Sequence, residues 1–196
     1  MTSVSGHIQN FAFPINYKNW NNVSPESLFT APVNKQITEN MINVKKNLER
    51  EAKKCAVLII WTDCDREGEN IGGSVRDICL AAKPSLVVKR ARFSEITNQA
   101  VHNALRNLVT LNDRVIDAVD ARQELDLRIG ASFTRLQSLY LQKKFPRQLS
   151  NDVISYGSCQ FPTLGFIVER WRAIQEFQPE PFWKIEPQHR RNEVRV

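Results

Sequence analysis

The chain has 196 residues, with 27 basic and 21 acidic side chains and a formal net charge of +6. Hydrophobic residues make up 42% and charged residues 24%, which is ordinary globular usage and excludes a disordered, collagen-like or low-complexity chain. The longest apolar run, residues 56–61, is far shorter than the roughly 20 residues of a membrane-spanning helix. We therefore expect one large or two small globular domains and no membrane contact.

The start of the chain and its cysteines are those of an intracellular protein. Residues 1–7 contain neither a basic nor an apolar stretch, so we expect no secretory signal. Cys55, Cys64, Cys79 and Cys159 form no CxxC pair, which disfavours a zinc site. Buried, reduced thiols are therefore expected. The basic charge balance is only weak support for a polyanionic partner.

The first half of the chain has the pattern of an α/β domain. The apolar run over residues 55–61 is typical of a strand buried on both faces of a parallel sheet. Apolar side chains at helical spacing precede and follow it. In chain order we predict a loop-rich segment with packed aromatic side chains over 1–34 that includes a helical turn at Ser24-Pro25-Glu26, a helix over 35–54, the strand over 55–61, a helix over 67–82, a strand over 86–93 and a helix over 97–109.

The second half of the chain is mainly helical. Residues 113–143 have one glycine and no proline, which favours one long helix, and Pro146 closes it. After it we predict irregular chain over 151–163 and a further helix over 163–177. The change of pattern indicates a domain boundary near residue 110.

An acidic cluster directly follows the predicted buried strand. Asp63, Asp65 and Glu67 lie at its carboxyl end, which is the edge where ligands bind in open α/β sheets. Crowded carboxylates repel one another unless a divalent cation lies among them, and Mg²⁺ prefers such hard oxygen ligands. The alternative is a solvated turn whose acidic side chains favour the N-terminus of the following helix.

Two other groups of polar side chains are candidates for phosphate contact. Ser155, Ser158 and Gln160 surround a glycine just before a predicted helix, where hydroxyl and amide groups can hold phosphate oxygens. Arg122 and Asp126 are four residues apart on the long helix. The alternative readings are an ordinary turn and a solvated helix face with an i,i+4 ion pair.

Taken together, these stretches resemble the type IA DNA topoisomerases, and among them the eukaryotic topoisomerase III alpha group. The Asp-x-Asp-x-Glu cluster is similar to the motif of the Toprim domain, the family's metal-binding module. Ser158 stands where bacterial relatives usually carry arginine, which points to the eukaryotic branch. The matching stretches are residues 5–8, 47–52, 58–72, 90–97, 120–130 and 155–166.

The resemblance implies an α/β fold in two parts. Residues 1–110 would be a partial Toprim domain, Rossmann-like with a mostly parallel sheet, and residues 111–196 the first part of the mainly α-helical, DNA-binding central domain. By match to the motif, Asp63 and Asp65 would hold Mg²⁺, and Glu67 would be a ligand or a neighbour of one.

The resemblance also implies roles for the other candidates. Arg122 would contact DNA phosphate, Asp126 would orient it, and the single strand would contact the DNA-binding residues His7, Ser155, Ser158 and Gln160. The implied activity is Mg²⁺-dependent, ATP-independent cleavage, passage and religation of single DNA strands, which relaxes negative supercoils and resolves recombination intermediates. The implied partners are single-stranded DNA, a RecQ-type helicase and an OB-fold accessory protein, and the implied location is the nucleus.

Two family features are absent from the sequence. One is the first Toprim strand with its glutamate. The other is the nucleophilic tyrosine in a Tyr-x-Arg-Thr context, which Tyr17, Tyr140 and Tyr156 all lack. We therefore expect an N-terminal fragment that leaves a strand edge of the sheet uncovered and that is inactive in DNA cleavage by itself.

Two alternatives to an active topoisomerase stay open. The first is a catalytically inactive fragment that binds single-stranded DNA through the 155–160 loop and through Lys89, Arg90 and Arg92. The second is another Toprim enzyme, such as a primase or a nuclease. The stretch 155–166 argues against the second, because those enzymes share only the acidic motif.

Overall fold

The computed structural model describes residues 1–150, 152–188, 190–191 and 194–195. The chain divides into two compact units, Met1–Ser158 and Cys159–Val196, each of which is described by itself. No helix in the described part of the chain has the length and apolar character to cross a membrane. The domain boundary near residue 110 stays a prediction.

The first unit contains an antiparallel pair of strands that the sequence pattern does not predict. Strand β1 (Gln9–Ala12) pairs with β2 (Asn34–Ile37), with Gln9 opposite Ile37. The predicted helix over 35–54 therefore begins too early, because its first residues belong to β2. The helix itself, α1, spans Ile42–Ala52. Between the two strands, the predicted helical turn at Ser24 is confirmed as a 3-10 helix over Pro25–Phe29 with proline at its start.

The centre of this unit confirms the α/β fold class. Strand β3 (Val57–Ile60) pairs in parallel with β4 (Val87–Arg90), and helix α2 (Arg66–Ala82) connects them. This is the crossover that parallel strands require. Helix α3 (Asn98–Arg106) follows, capped by the Thr97 hydroxyl, which accepts from the Ala100 N–H. Its predicted last turn, to residue 109, is absent because Val109 instead bridges to the end of β4.

The main core lies where α1 and α2 pack against this sheet. Its buried side chains are mostly aliphatic, and burial of each one stabilises the fold by about 1.5–3 kcal/mol. A second, smaller cluster holds the aromatic-rich N-terminal segment against the long helix described next. The main cluster comprises Ile8, Met41, Leu48, Ala52, Val75, Ile78, Cys79 and Leu86, and the second comprises Phe13, Leu28 and Ala31. Cys79 is thus buried as predicted, but the prediction of buried thiols is wrong for the other three cysteines, which are exposed.

The prediction that the apolar strand is buried on both faces is wrong in part. Ile60 is buried, but Val57 is 48% exposed. Among the described residues, β3 pairs with β4 alone. Its other edge borders a groove of about 910 Å³ that residues such as Leu48 and Trp61 line.

Helix α4 (Asp113–Lys144) is a single element of 32 residues, so it is about 48 Å long. The Asn112 side chain caps its start by accepting from the Arg114 N–H. It ends at Lys144, two residues before the proline that was predicted to close it. Its N-terminal half packs on α2, and its middle contacts the 3-10 helix over Pro25–Phe29.

The second unit contains helix α5 (Gln160–Gln175). It begins three residues earlier than predicted, and the irregular segment is correspondingly shorter. Two short strands, β5 (Arg190–Arg191) and β6 (Val194–Arg195), pair antiparallel near the end of the chain.

Candidate functional site

The acidic cluster forms the turn between β3 and α2. Asp65 is the N-cap of α2, and its Oδ1 accepts from the Gly68 N–H at 2.7 Å. The first helical turn also carries Glu67 and Glu69, whose charges are favourable near a helix N-terminus. The side chains of Asp63 and Asp65 are both exposed. The turn therefore presents two exposed carboxylates at the carboxyl end of the sheet, and one oxygen of Asp65 is used in capping α2.

Gly68 allows this turn to be tight. A Cβ at this position would lie 2.1 Å from the carbonyl oxygen of Asp63, far inside van der Waals contact. The Thr62 hydroxyl donates to the Gly68 carbonyl at 2.5 Å and closes the turn from the other side. The distance between the acidic turn and α2 is therefore compatible only with glycine.

A buried arginine holds the backbone of the acidic turn in place. Arg90, at the end of β4, is fully buried and donates from Nη2 to the Asp63 carbonyl at 2.6 Å. Its Nε donates to Glu69 Oε2 at 3.2 Å, and Glu69 Oε1 accepts from the Asn112 N–H at 2.7 Å. The pair therefore ties the turn to β4 and to the start of α4.

This burial corrects one expectation about DNA contacts. Arg90 was a candidate basic side chain for DNA binding, but it has no exposed surface and its donors are used internally. Lys89 is half-buried and Arg92 is exposed. Arg92 contacts the Cys64 thiol in the turn, and this contact raises the pKa of Arg92. The alternation of side chains along the strand decides which of these residues points inward.

Five residues singled out from the sequence form one continuous polar network. Glu67 accepts from Arg122 Nη2 at 2.6 Å, and its other oxygen lies 3.0 Å from His7 Nε2. Arg122 Nη1 lies 3.5 Å from Asp126, and the Ser158 hydroxyl donates to Asp126 at 2.9 Å. The network thus joins the acidic turn, α4 and the segment that follows α4.

The structure does not gather the remaining candidates into the same network. Ser155 is exposed, three residues before Ser158, and Gln160 lies in the second unit as the first residue of α5. In the part of the chain that the structure describes, no group of three or more His, Cys, Asp or Glu side chains is arranged to hold a metal ion. The Glu67 carboxylate contacts Arg122 and His7.

The donor set nevertheless fits a magnesium ion that shares its coordination with a substrate. Mg²⁺ is usually bound by one or two carboxylates and completes its shell with water and phosphate oxygens. Asp63 and Asp65 supply two exposed carboxylates at one turn. The assignment of Asp63, Asp65 and Glu67 as ligands stays a prediction.

Sequence reasoning missed a second polar link between α2 and α4. Asn70 is buried and donates to Asp120 Oδ1 at 2.8 Å, and Lys35 donates to the other oxygen of Asp120 at 2.5 Å. An amide on the buried face of α2 was the available signal, since buried polar side chains require partners. This link holds α2 against α4 one turn from the Glu67–Arg122 pair.

Comparison with known proteins gives matches over both halves of the chain. A family model described as the Toprim domain matches residues 1–96, and one described as DNA topoisomerase matches residues 110–195. Human DNA topoisomerase 3-alpha is 57% identical over 189 residues, which are 96% of this chain and 19% of that protein. The Drosophila melanogaster DNA topoisomerase 3-alpha is 54% identical over 196 residues, 100% of this chain and 16% of that protein.

A solved structure is also similar. Full-length topoisomerase I from Thermotoga maritima matches with a TM-score of 0.57 and 27% identity, over 89% of this chain and 27% of that chain. The chain spans about a fifth of the length of the topoisomerase 3-alpha proteins from human and mouse that it matches.

Proposed function

The chain belongs to the type IA DNA topoisomerases, in the topoisomerase III alpha group, and from this premise we propose that it binds single-stranded DNA at the network around Arg122. The observation that carries the proposal is the continuity of that network. It joins His7 and Glu67, which lie in the region matched by the Toprim model, to Arg122, Asp126 and Ser158 in the region matched by the topoisomerase model.

Arg122 is the phosphate-binding group of this proposal. Its side chain is 56% exposed although it contacts both Glu67 and Asp126. The two carboxylates hold the guanidinium in place and leave part of it open to a phosphate oxygen, for which its planar donors are well suited. The exposed Ser155 hydroxyl is a neutral donor on the segment after α4, whereas the Ser158 hydroxyl donates to Asp126 and so helps to hold that carboxylate. Gln160, the first residue of α5, is a separate proposed DNA contact in the second unit.

A magnesium ion is the cofactor of the proposed full activity. Asp63 and Asp65 would hold it, and when bound it supplies positive charge that offsets the charge of a reacting phosphate. The chain's own residues do the rest of the positioning. Asp126 orients Arg122, and the Arg90–Glu69 pair fixes the backbone of the turn that carries the two aspartates.

In the complete enzyme we propose ATP-independent cleavage, passage and religation of single DNA strands. That activity relaxes negative supercoils and resolves recombination intermediates. The supporting observation is the family membership, which also underlies the proposed partners, a RecQ-type helicase and an OB-fold protein, and the proposed nuclear location.

For residues 1–196 alone we propose DNA binding without cleavage. Tyr17, Tyr140 and Tyr156 lack the sequence context of the family's nucleophile. The ring of Tyr156 packs on Phe133, with centroids 4.9 Å apart. Plasmid relaxation with Mg²⁺ and a denaturing gel for covalent adducts test this proposal, and a tyrosine-linked adduct would overturn it.

The binding experiment is a salt titration of a labelled single-stranded oligonucleotide. We expect residues 1–196 to bind with an affinity that falls steeply as salt rises, because phosphate contacts release counterions. Arg122→Ala should lower both the affinity and the salt dependence. Arg106→Ala, which removes an exposed arginine of α3 outside the network, should change neither. An unchanged titration for Arg122→Ala, or no binding by the wild-type chain, would overturn the proposal.

A further inference from the structure

Three aromatic rings form a continuous surface that the polar network does not use. Phe29 meets Phe133 edge-on, with centroids 6.1 Å apart and an interplanar angle of 77°. Phe133 in turn packs against Tyr156 at 4.9 Å with the rings tilted by 39°. Phe29 is 44% and Phe133 40% exposed. Each ring therefore stabilises the fold less than a fully buried phenylalanine would. We call Phe29, Phe133 and Tyr156 the aromatic platform.

The structure holds both ends of the aromatic platform in place. On the Tyr156 side, side chains of α4 bind the backbone of the following segment: Thr134 accepts from the Tyr156 N–H, and Ser138 accepts from the Ile154 N–H, each at 2.9 Å. On the other side, Arg128 donates to the Phe29 carbonyl at 3.0 Å. Little ordering entropy is therefore left to lose when a planar ligand docks.

The charge of the chain segment that carries Phe133 favours one kind of ligand. Residues 127–151 contain five basic residues and no acidic residue. The two nearest the platform, Arg128 and Arg135, are engaged with neighbouring groups. The three beyond it, Lys143, Lys144 and Arg147, are exposed. Exposed aromatic rings and a basic stretch further along the same part of the chain together complement a flexible polyanion whose units carry flat apolar faces.

We propose that the aromatic platform stacks an unpaired base of single-stranded DNA. This inference rests on the proposed function and adds to it a subsite for the base rather than for the phosphate. The segment that carries Tyr156 also carries Ser155, so a proposed phosphate donor and the stacking surface are adjacent in the chain. Every base has a flat face that can stack, so the subsite binds any of the four bases. It binds an abasic nucleotide more weakly.

The experiment compares two oligonucleotides with the same number of phosphates, one of thymidines and one of abasic nucleotides. We expect residues 1–196 to bind the thymidine strand more tightly by on the order of 10-fold, the scale of one stacked base. Phe133→Leu should remove this preference without weakening binding of the abasic strand. Phe133→Trp should keep it. Phe145→Leu, which alters a phenylalanine of matched exposure, 41%, outside the platform, should behave as wild type.

A spectroscopic readout separates stacking from structural support. A 2-aminopurine in the strand loses fluorescence when it stacks, so the wild-type chain should quench it and Phe133→Leu should not. Equal affinity for the two strands overturns the stacking inference and leaves the proposed DNA binding intact. Parallel loss of both affinities in Phe133→Leu, or an equal effect of Phe145→Leu, also overturns it. Failure of the wild-type chain to bind either strand overturns the proposed function itself.

Discussion

Gly68→Ala tests whether the tight acidic turn is a physical requirement of the fold. The added Cβ would lie 2.1 Å from the carbonyl oxygen, 2.8 Å from the carbonyl carbon and 2.9 Å from the backbone nitrogen of Asp63. All three atoms belong to backbone, so no side-chain rotation relieves the contact. The turn must move by about 1.5 Å to reach the distances of ordinary van der Waals contact.

The loss in the free energy of unfolding can be summed from the contacts that this movement disturbs. Overpacking of this kind costs about 1–3 kcal/mol. Displacing the Asp63 carbonyl also weakens its hydrogen bond from the buried Arg90 guanidinium, and a bond to a charged group contributes about 1.5–3 kcal/mol. The higher helix propensity of alanine returns about 1 kcal/mol. The two costs less the gain leave a net loss of roughly 1.5–5 kcal/mol.

Thermal unfolding followed by circular dichroism measures this loss. At about 2–4 °C per kcal/mol for a chain of this size, Gly68→Ala should lower Tm by roughly 3–20 °C. Gly130→Ala is the matched control, because its Cβ would lie 3.6 Å from the Tyr156 carbonyl, in ordinary contact, and should leave Tm unchanged or slightly raised. A Gly68→Ala protein that melts with the wild type would refute the steric reasoning.

Three other predictions follow from the same part of the molecule. Arg90→Met should destabilise the chain by about 3–5 kcal/mol in urea unfolding, since it leaves Glu69 as an unpaired buried charge, and a second change, Glu69→Leu, should recover part of that loss; additive losses would contradict the pairing. Burial raises the pKa of the Cys79 thiol, so a thiol reagent at pH 8 should label the three exposed cysteines rapidly and Cys79 only after unfolding; equal rates for all four thiols would be the contrary result. Asp63→Asn should weaken Mg²⁺ binding in calorimetric titration in the presence of single-stranded DNA, whereas Asp77→Asn, an exposed carboxylate of α2, should not; indistinguishable titrations would remove Asp63 from the ligand set.

Local pattern was sufficient to predict the central elements of the fold. The apolar run of β3, the helical spacing of α2 and the proline-free stretch of α4 are properties of neighbouring residues, and all three elements are present. Strands β1 and β2 were missed for the complementary reason. Three of the four residues of β2 are exposed, so it has no apolar alternation, and its pairing with β1 is a long-range contact.

The candidate site shows the same division between local and long-range information. Arg122 and Asp126 are an i,i+4 pair that sequence spacing alone identifies. The contact of Arg122 with Glu67 spans 55 residues, and no sequence spacing identifies it. Arg90 was expected at the surface because its side chain is charged. It lies at the end of β4 instead, where Glu69 and backbone carbonyl groups accept its hydrogen bonds.

Helix α4 has a mechanical consequence for the site. The cap residue at its start is tied to Glu69, its middle to Glu67 and its later turns to the segment that carries Tyr156. One continuous helix therefore sets the distance between the acidic turn and the segment that carries Tyr156. Neither can shift alone without breaking a contact to α4. Bending requires a weak point, and Gly130 is the one glycine in the helix. Any bend of this helix is therefore expected at Gly130, between Arg122 and the aromatic platform.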